Sequence, residues 1–152
     1  MLLFILSVLI VVLDQVSKLA AIRHLKGNVP YVIIENFFQL NYVENFGAAF
    51  GILQHKKILF IIITSLVVIC ISLFLIRNQH ALNRFMKVAL GMLLGGAIGN
   101  LIDRIRLGYV VDFISVKLIN KYDFPVFNVA DVFIVVGTVL IVILVSFDRY
   151  EA

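Results

Sequence analysis

The sequence predicts an all-α polytopic membrane protein, with four transmembrane helices and a small β-sheet platform in the long loops. Composition is the first reason. Of 152 residues, 62% are hydrophobic and 14% charged, which leaves too little polar surface for a domain bathed in water. The second reason is that the apolar residues gather into four runs of spanning length. The third is a loop in which apolar and polar residues partly alternate, as they do along strands.

The first span, "MLLFILSVLIVVLDQVSKLAAI" (about 1–22), lacks a basic leading region and an A-x-A-like cleavage signal. Its apolar run continues past Asp14 and Lys18, so it reads as a retained helix and not as a cleaved leader. The second, "ILFIIITSLVVICISLFLI" (58–76), is uncharged; at about 1.5 Å per residue it crosses a hydrocarbon core of about 30 Å. In the third, "MKVALGMLLGGAIGNLIDR" (86–104), Gly91, Gly95 and Gly99 recur at four-residue spacing, which lets a neighbouring backbone come close. The fourth is "VFNVADVFIVVGTVLIVILVSF" (126–147). The loop at about 23–57 holds "NFFQLNYVEN" and "FGAAFG" and is expected to form a small sheet on the membrane surface; the loop at about 105–125 offers a further strand in "GYVVDFISVKL". All of this fits a single membrane domain, 1–152.

Several function classes fall away. Cys70 is the one cysteine and lies inside an apolar run, so the chain has no internal disulfide or thiolate zinc site, and packing is its expected role. The net charge is +4, but the Lys and Arg are scattered and several flank the spans, where headgroups and not nucleic acid would meet them. His24, His55 and His80 have no positioned Ser/Asp companions, and no H-E-x-x-H spacing occurs; serine and metal hydrolysis therefore find no support.

Alternate crossings bring the end of span one, the start of span two, the end of span three and the start of span four to one side. Asp14, Lys18, Asn45, Asn100, Asp103, Arg104, Asp112, Asn128 and Asp131 all fall there. Asp14 with Lys18 and Asn100 with Arg104 stand at i and i+4, and Asn128 with Asp131 at i and i+3, so each pair is expected on one helix face. Asp14 and Lys18 read as a self-neutralising pair with the lysine reaching up to the interface. Asp103 beside Arg104 reads as an interfacial ion pair. Asp131 has no basic residue one turn away, so its partner must come from elsewhere. Asp112 is its natural companion, and two close carboxyls sharing a proton supply a general acid and a general base together. An aspartyl hydrolase, a small polytopic proton- or ion-conducting carrier using buried carboxylates, and a structural scaffold stay open at this point. A carrier calls for polar residues through the full depth, whereas these stop halfway.

"DQVSK" (14–18), "NFGAAFG" (45–51), "GGAIGNLIDR" (95–104), "GYVVDF" (108–113) and "FNVADVFI" (127–134) resemble, in order and spacing, the motif set of lipoprotein signal peptidase (signal peptidase II). The resemblance implies an aspartyl endopeptidase of the bacterial inner membrane that cuts prolipoproteins just before the diacylglyceryl-modified cysteine. It implies a catalytic pair at Asp112 and Asp131, with Asp14, Lys18, Asn45, Asn100, Arg104 and Asn128 lining or supporting the site. It implies no metal or organic cofactor. The implied partners are lipidated prolipoproteins, membrane lipid and globomycin-like inhibitors, with no nucleic acid and a monomeric protein. Both termini would be cytoplasmic and the two long loops extracytoplasmic, the loop 23–57 acting as a platform or lid. The raw distribution of Lys and Arg reads the other way, although the short link and the tail are the more basic per residue.

Overall fold

A computed structural model describes residues 2–47, 56–117 and 124–151 of the chain. Four helices appear where the apolar runs require them: α1 (Leu2–His24), α2 (Lys57–Asn78), α3 (Arg84–Arg106) and α4 (Val129–Ser146). Three strands stand between them: β1 (Tyr31–Ile34), β2 (Phe38–Asn45) and β3 (Val110–Val116). All four helices are long and apolar enough to cross a membrane. The β-sheet platform is the expected one, including the strand in the second long loop.

α3 is the hub, packed against each of the other three helices. Its small residues make this possible. A Cβ added at Gly96 would lie 2.5 Å from the Ala130 carbonyl oxygen, and one at Gly99 would lie 2.6 Å from Asp14 Oδ2. The α4 backbone and an α1 side chain thus occupy space that any larger residue would take. At the opposite end from the sheet, Leu75, Leu82, Met86, Leu90, Leu94 and Leu144 form an apolar core. There the Asn83 side chain caps α3 by accepting the Met86 N–H at 2.9 Å and also donates to the Arg149 carbonyl.

α2 packs on α3 and leaves most of its apolar surface outward, as a lipid-facing helix should. Cys70 is exposed on it, contrary to the packing role expected from sequence; helix rotation turns that position away from α3.

The sheet has the order β1-β2-β3 and is antiparallel throughout. Its β2–β3 register sets Val43 opposite Asp112 and Asn45 opposite Val110. Side chains two residues apart share a face, so Asn45 and Asp112 project together. Gly108, at φ +90°, turns the chain from α3 into β3. Along the far side of β3, Ile114 and Phe127 exchange backbone hydrogen bonds of 2.8 and 3.0 Å, and Phe124 N–H reaches the Val116 carbonyl at 3.0 Å. This short pairing delivers the chain to the start of α4.

Candidate active site

Asn128 begins the site because it begins α4. It is the N-cap, with extended backbone, and not part of the helix face. The sequence-based picture of an Asn128–Asp131 stripe is corrected to a reciprocal cap. The Asn128 side-chain oxygen accepts the Asp131 N–H at 2.9 Å, while Asp131 Oδ2 accepts the Asn128 N–H at 3.2 Å. An N-x-x-D cap was legible in "NVAD", but the apolar residues on both sides masked the helix start. Asp131 also accepts from Asn100 Nδ2 at 2.7 Å through its other oxygen. Its partners are therefore its own cap and α3, which is how a carboxylate is held in an apolar run.

Behind this cap lies a buried ionic cluster. Lys18 is 2% exposed and Asp14 0%, so the lysine does not reach to the interface as expected. Its ammonium stays inside, 2.9 Å from Asp14 Oδ2, 3.0 Å from Asp103 Oδ2 and 2.9 Å from Asn100 Oδ1. Burial of a charge is tolerable only when it is paired and fully hydrogen-bonded, and here two carboxylates and an amide oxygen meet three N–H donors. Asp14 Oδ1 in turn accepts the Ala130 N–H at 3.0 Å, tying α1 to the first turn of α4.

Asp103 is the residue that sequence reasoning misplaced. Its carboxylate takes Lys18, the Val111 N–H at 3.1 Å and Gln15 Nε2 at 2.9 Å. Arg104 turns elsewhere, to the Gly47 carbonyl at 3.3 Å and over the Phe60 ring at 5.0 Å. Consecutive residues on a helix point in different directions, so an Asp103–Arg104 pair was geometrically disfavoured. The i, i+3 spacing of Asn100 and Asp103 was the signal that both face Lys18. Gln15, which joins Asp103 to the Gly99 carbonyl, carried no such signal.

Asp112 is 1% exposed and is held from two sides. Asn45 Nδ2 donates to Oδ2 at 2.9 Å and Asn128 Nδ2 to Oδ1 at 2.6 Å. Burial pushes its pKa up to about 7, and the nearby Asp131 charge adds to this; the hydrogen bonds from Asn45 and Asn128 and the Lys18 charge oppose it. Asp112, Asp131, Asn45, Asn100 and Arg104 line one cavity of about 840 Å³. Its other wall is apolar, from Phe124, Val126, Phe127, Val132 and Val135. Val132 and Val135 are also outward-exposed, so the cavity opens along the lipid-facing side of α4. The structure thus gathers all eight residues that the resemblance implied for the site: five line the cavity, Asn128 bridges to it, and Asp14 and Lys18 stand behind it. Residues 48–55 of the expected lid lie outside the described residues.

This arrangement has close relatives. A family model described as Signal peptidase (SPase) II matches residues 6–147. The lipoprotein signal peptidase of Clostridium tetani is 43% identical over 97% of this chain and 94% of that protein. The lipoprotein signal peptidase of Caldanaerobacter subterraneus is 50% identical over 91% of each. Among solved structures, a bacterial membrane enzyme determined by the in meso method at 2.3 Å resolution aligns with a TM-score of 0.87 and 38% identity, covering 96% of this chain and 88% of the other. Four spanning helices and a three-stranded sheet therefore come with sequence identity along nearly the whole chain, and the chain belongs to the signal peptidase II family, membrane proteases that remove signal peptides from prolipoproteins.

Proposed function

We propose that the chain is an aspartyl endopeptidase in which Asp112 and Asp131 form the catalytic pair. One observation carries this reading: Asn128 touches both carboxyls, donating its side-chain N–H to Asp112 and its backbone N–H to Asp131, and both acids face the same cavity. A water between them loses a proton to one carboxylate as its oxygen bonds to the scissile carbonyl carbon. The other carboxyl gives its proton to the departing nitrogen as the C–N bond breaks, yielding a new carboxyl and a free amine. Arg104, on the cavity wall, serves to hold the substrate backbone or the developing oxyanion, while the amides of Asn45 and Asn100 support the site by donating to Asp112 and Asp131.

The substrate is a prolipoprotein whose signal helix enters sideways from the bilayer, along the exposed valines of α4, and is cut before its diacylglyceryl-modified cysteine. Both termini are cytoplasmic and the sheet lies outside, where precursors arrive after export. The enzyme acts as a monomer and draws its acid and base from its own side chains. The test is to incubate the purified protein with a diacylglyceryl-modified prolipoprotein and weigh the products. The parent should release the signal peptide by a single cut before the modified cysteine. Asp112→Asn and Asp131→Asn should each lower turnover by about 100-fold or more. Near-parental turnover in either variant would remove that residue from the pair.

A further inference from the structure

Lys18 does not line the cavity, yet it decides how the cavity's polar wall is polarised. An ammonium has three N–H donors, and those of Lys18 go to Asp14, Asp103 and Asn100 Oδ1. Asn100 Oδ1 also accepts from Asn128 Nδ2 at 3.2 Å. With its oxygen so engaged, the Asn100 amide must present Nδ2 to Asp131 Oδ1, and it does so at 2.7 Å. Turning that amide over would set N–H groups against an ammonium and an oxygen against a carboxylate. Asn128 is fixed in the same sense, its oxygen on the Asp131 N–H and its Nδ2 on Asn100 and Asp112.

Asp131 therefore receives donors at both oxygens, in the first turn of α4, where the helix dipole favours negative charge. Asp112 likewise receives a donor at each oxygen, but it sits on a strand, without the helix dipole. We propose that Lys18 is a positioning residue that divides the labour of the pair: by locking the Asn100 amide it holds Asp131 as the carboxylate that takes the proton from water and leaves the resident proton on Asp112. This rests on the aspartyl reading above and assigns each acid one of the two steps given there. The charged groups that act on Asp112 are Asp131 on α4, Lys18 on α1 and Arg104 on α3. Burial and the Asp131 charge favour a proton on Asp112, and the Lys18 charge opposes it.

The experiment is a pH–rate profile of the full-length protein in lipid nanodiscs, with a lipidated peptide substrate. Lys18→Met should lower kcat by about 100-fold with KM within about twofold of the parent, because Lys18 touches neither substrate nor reacting atoms. It should also carry the alkaline limb of the profile upward by about half a pH unit or more, since Asp112 loses a nearby positive charge. Asp103→Asn removes a negative charge beside Lys18 and should carry the same limb downward. Opposed shifts are not what general loosening of a core produces. A fall in kcat with an unmoved limb, or a rise in KM alone, would overturn the assignment. Should Lys18→Met fail to accumulate, Asp103→Asn decides, and a limb that stays or moves up sinks the proposal. Failure of the aspartyl reading itself shows separately, as retained turnover in Asp112→Asn or Asp131→Asn.

Discussion

Asp112 sets chemistry against stability within one side chain. Its folded-state pKa, raised from 3.8 to about 7 by burial and by Asp131, means that the folded protein binds this proton more tightly than the unfolded chain. The stability it contributes is full below its unfolded value and is lost as pH rises through about 7. Asp112→Asn removes that dependence. Melting temperature measured in detergent from pH 5 to pH 8.5 should therefore show the variant gaining on the parent as pH rises. One new N–H will face an Asn45 or Asn128 donor and subtract from the gain, so the trend with pH is the test and not the offset. A difference that stays flat would mean the carboxyl is not strained by burial. Parent turnover should fall as pH rises through about 7, because the acid must hold its proton to deliver it.

At the scale of elements, the site depends on how closely α3 and α4 approach. Asn100 and Asp131 meet because Gly96 leaves room for the Ala130 carbonyl. A Cβ there meets backbone, which cannot swing aside as a side-chain tip can. Gly96→Val should therefore cost about 1–3 kcal/mol of stability and push the first turn of α4 away from Asn100. A lower melting temperature together with loss of turnover is expected. Gly27→Ala is the contrast: its added Cβ meets nothing within 4 Å and bears only the strain of φ +78°, so turnover should stay near that of the parent. Equal behaviour of the two variants would separate activity from the α3–α4 spacing.

For the whole molecule, the arrangement of polar and apolar surface suits the proposed substrate, one anchored in the bilayer. The polar cluster occupies the sheet end of the bundle, the other end is apolar core, and the cavity opens between valines that face lipid. A substrate anchored in the same bilayer reaches this cavity without leaving hydrocarbon. A prolipoprotein lacking its diacylglyceryl group should be cleaved at a small fraction of the rate of the modified form, and a globomycin-like cyclic peptide should block both binding and turnover. Equal cleavage of modified and unmodified precursors, read by mass spectrometry, would assign recognition to peptide contacts alone.

Four spans, a sheet in the long loops and a one-sided set of polar residues were legible in the sequence, because burial in lipid demands long apolar runs and helical periodicity puts i, i+3 and i+4 on one face. The eight candidate residues came from motif spacing along nearly the whole chain. Partnership was not legible. Periodicity describes one helix at a time, whereas the rotation of α1 against α3 decides that Lys18 turns inward to Asp103 and Asn100 and does not rise to the interface. The same packing leaves Arg104 to Gly47 and Phe60. Pairing of residues 124–127 with β3 ends the strand-like path at Asn128, and so makes a cap of what the apolar pattern alone would extend as helix. The identities and depth of the polar residues belong to the sequence. Their hydrogen-bond partners, and with them the polarity of the proposed pair, belong to the tertiary structure, because only close helix packing brings buried charges near enough to choose among several possible mates.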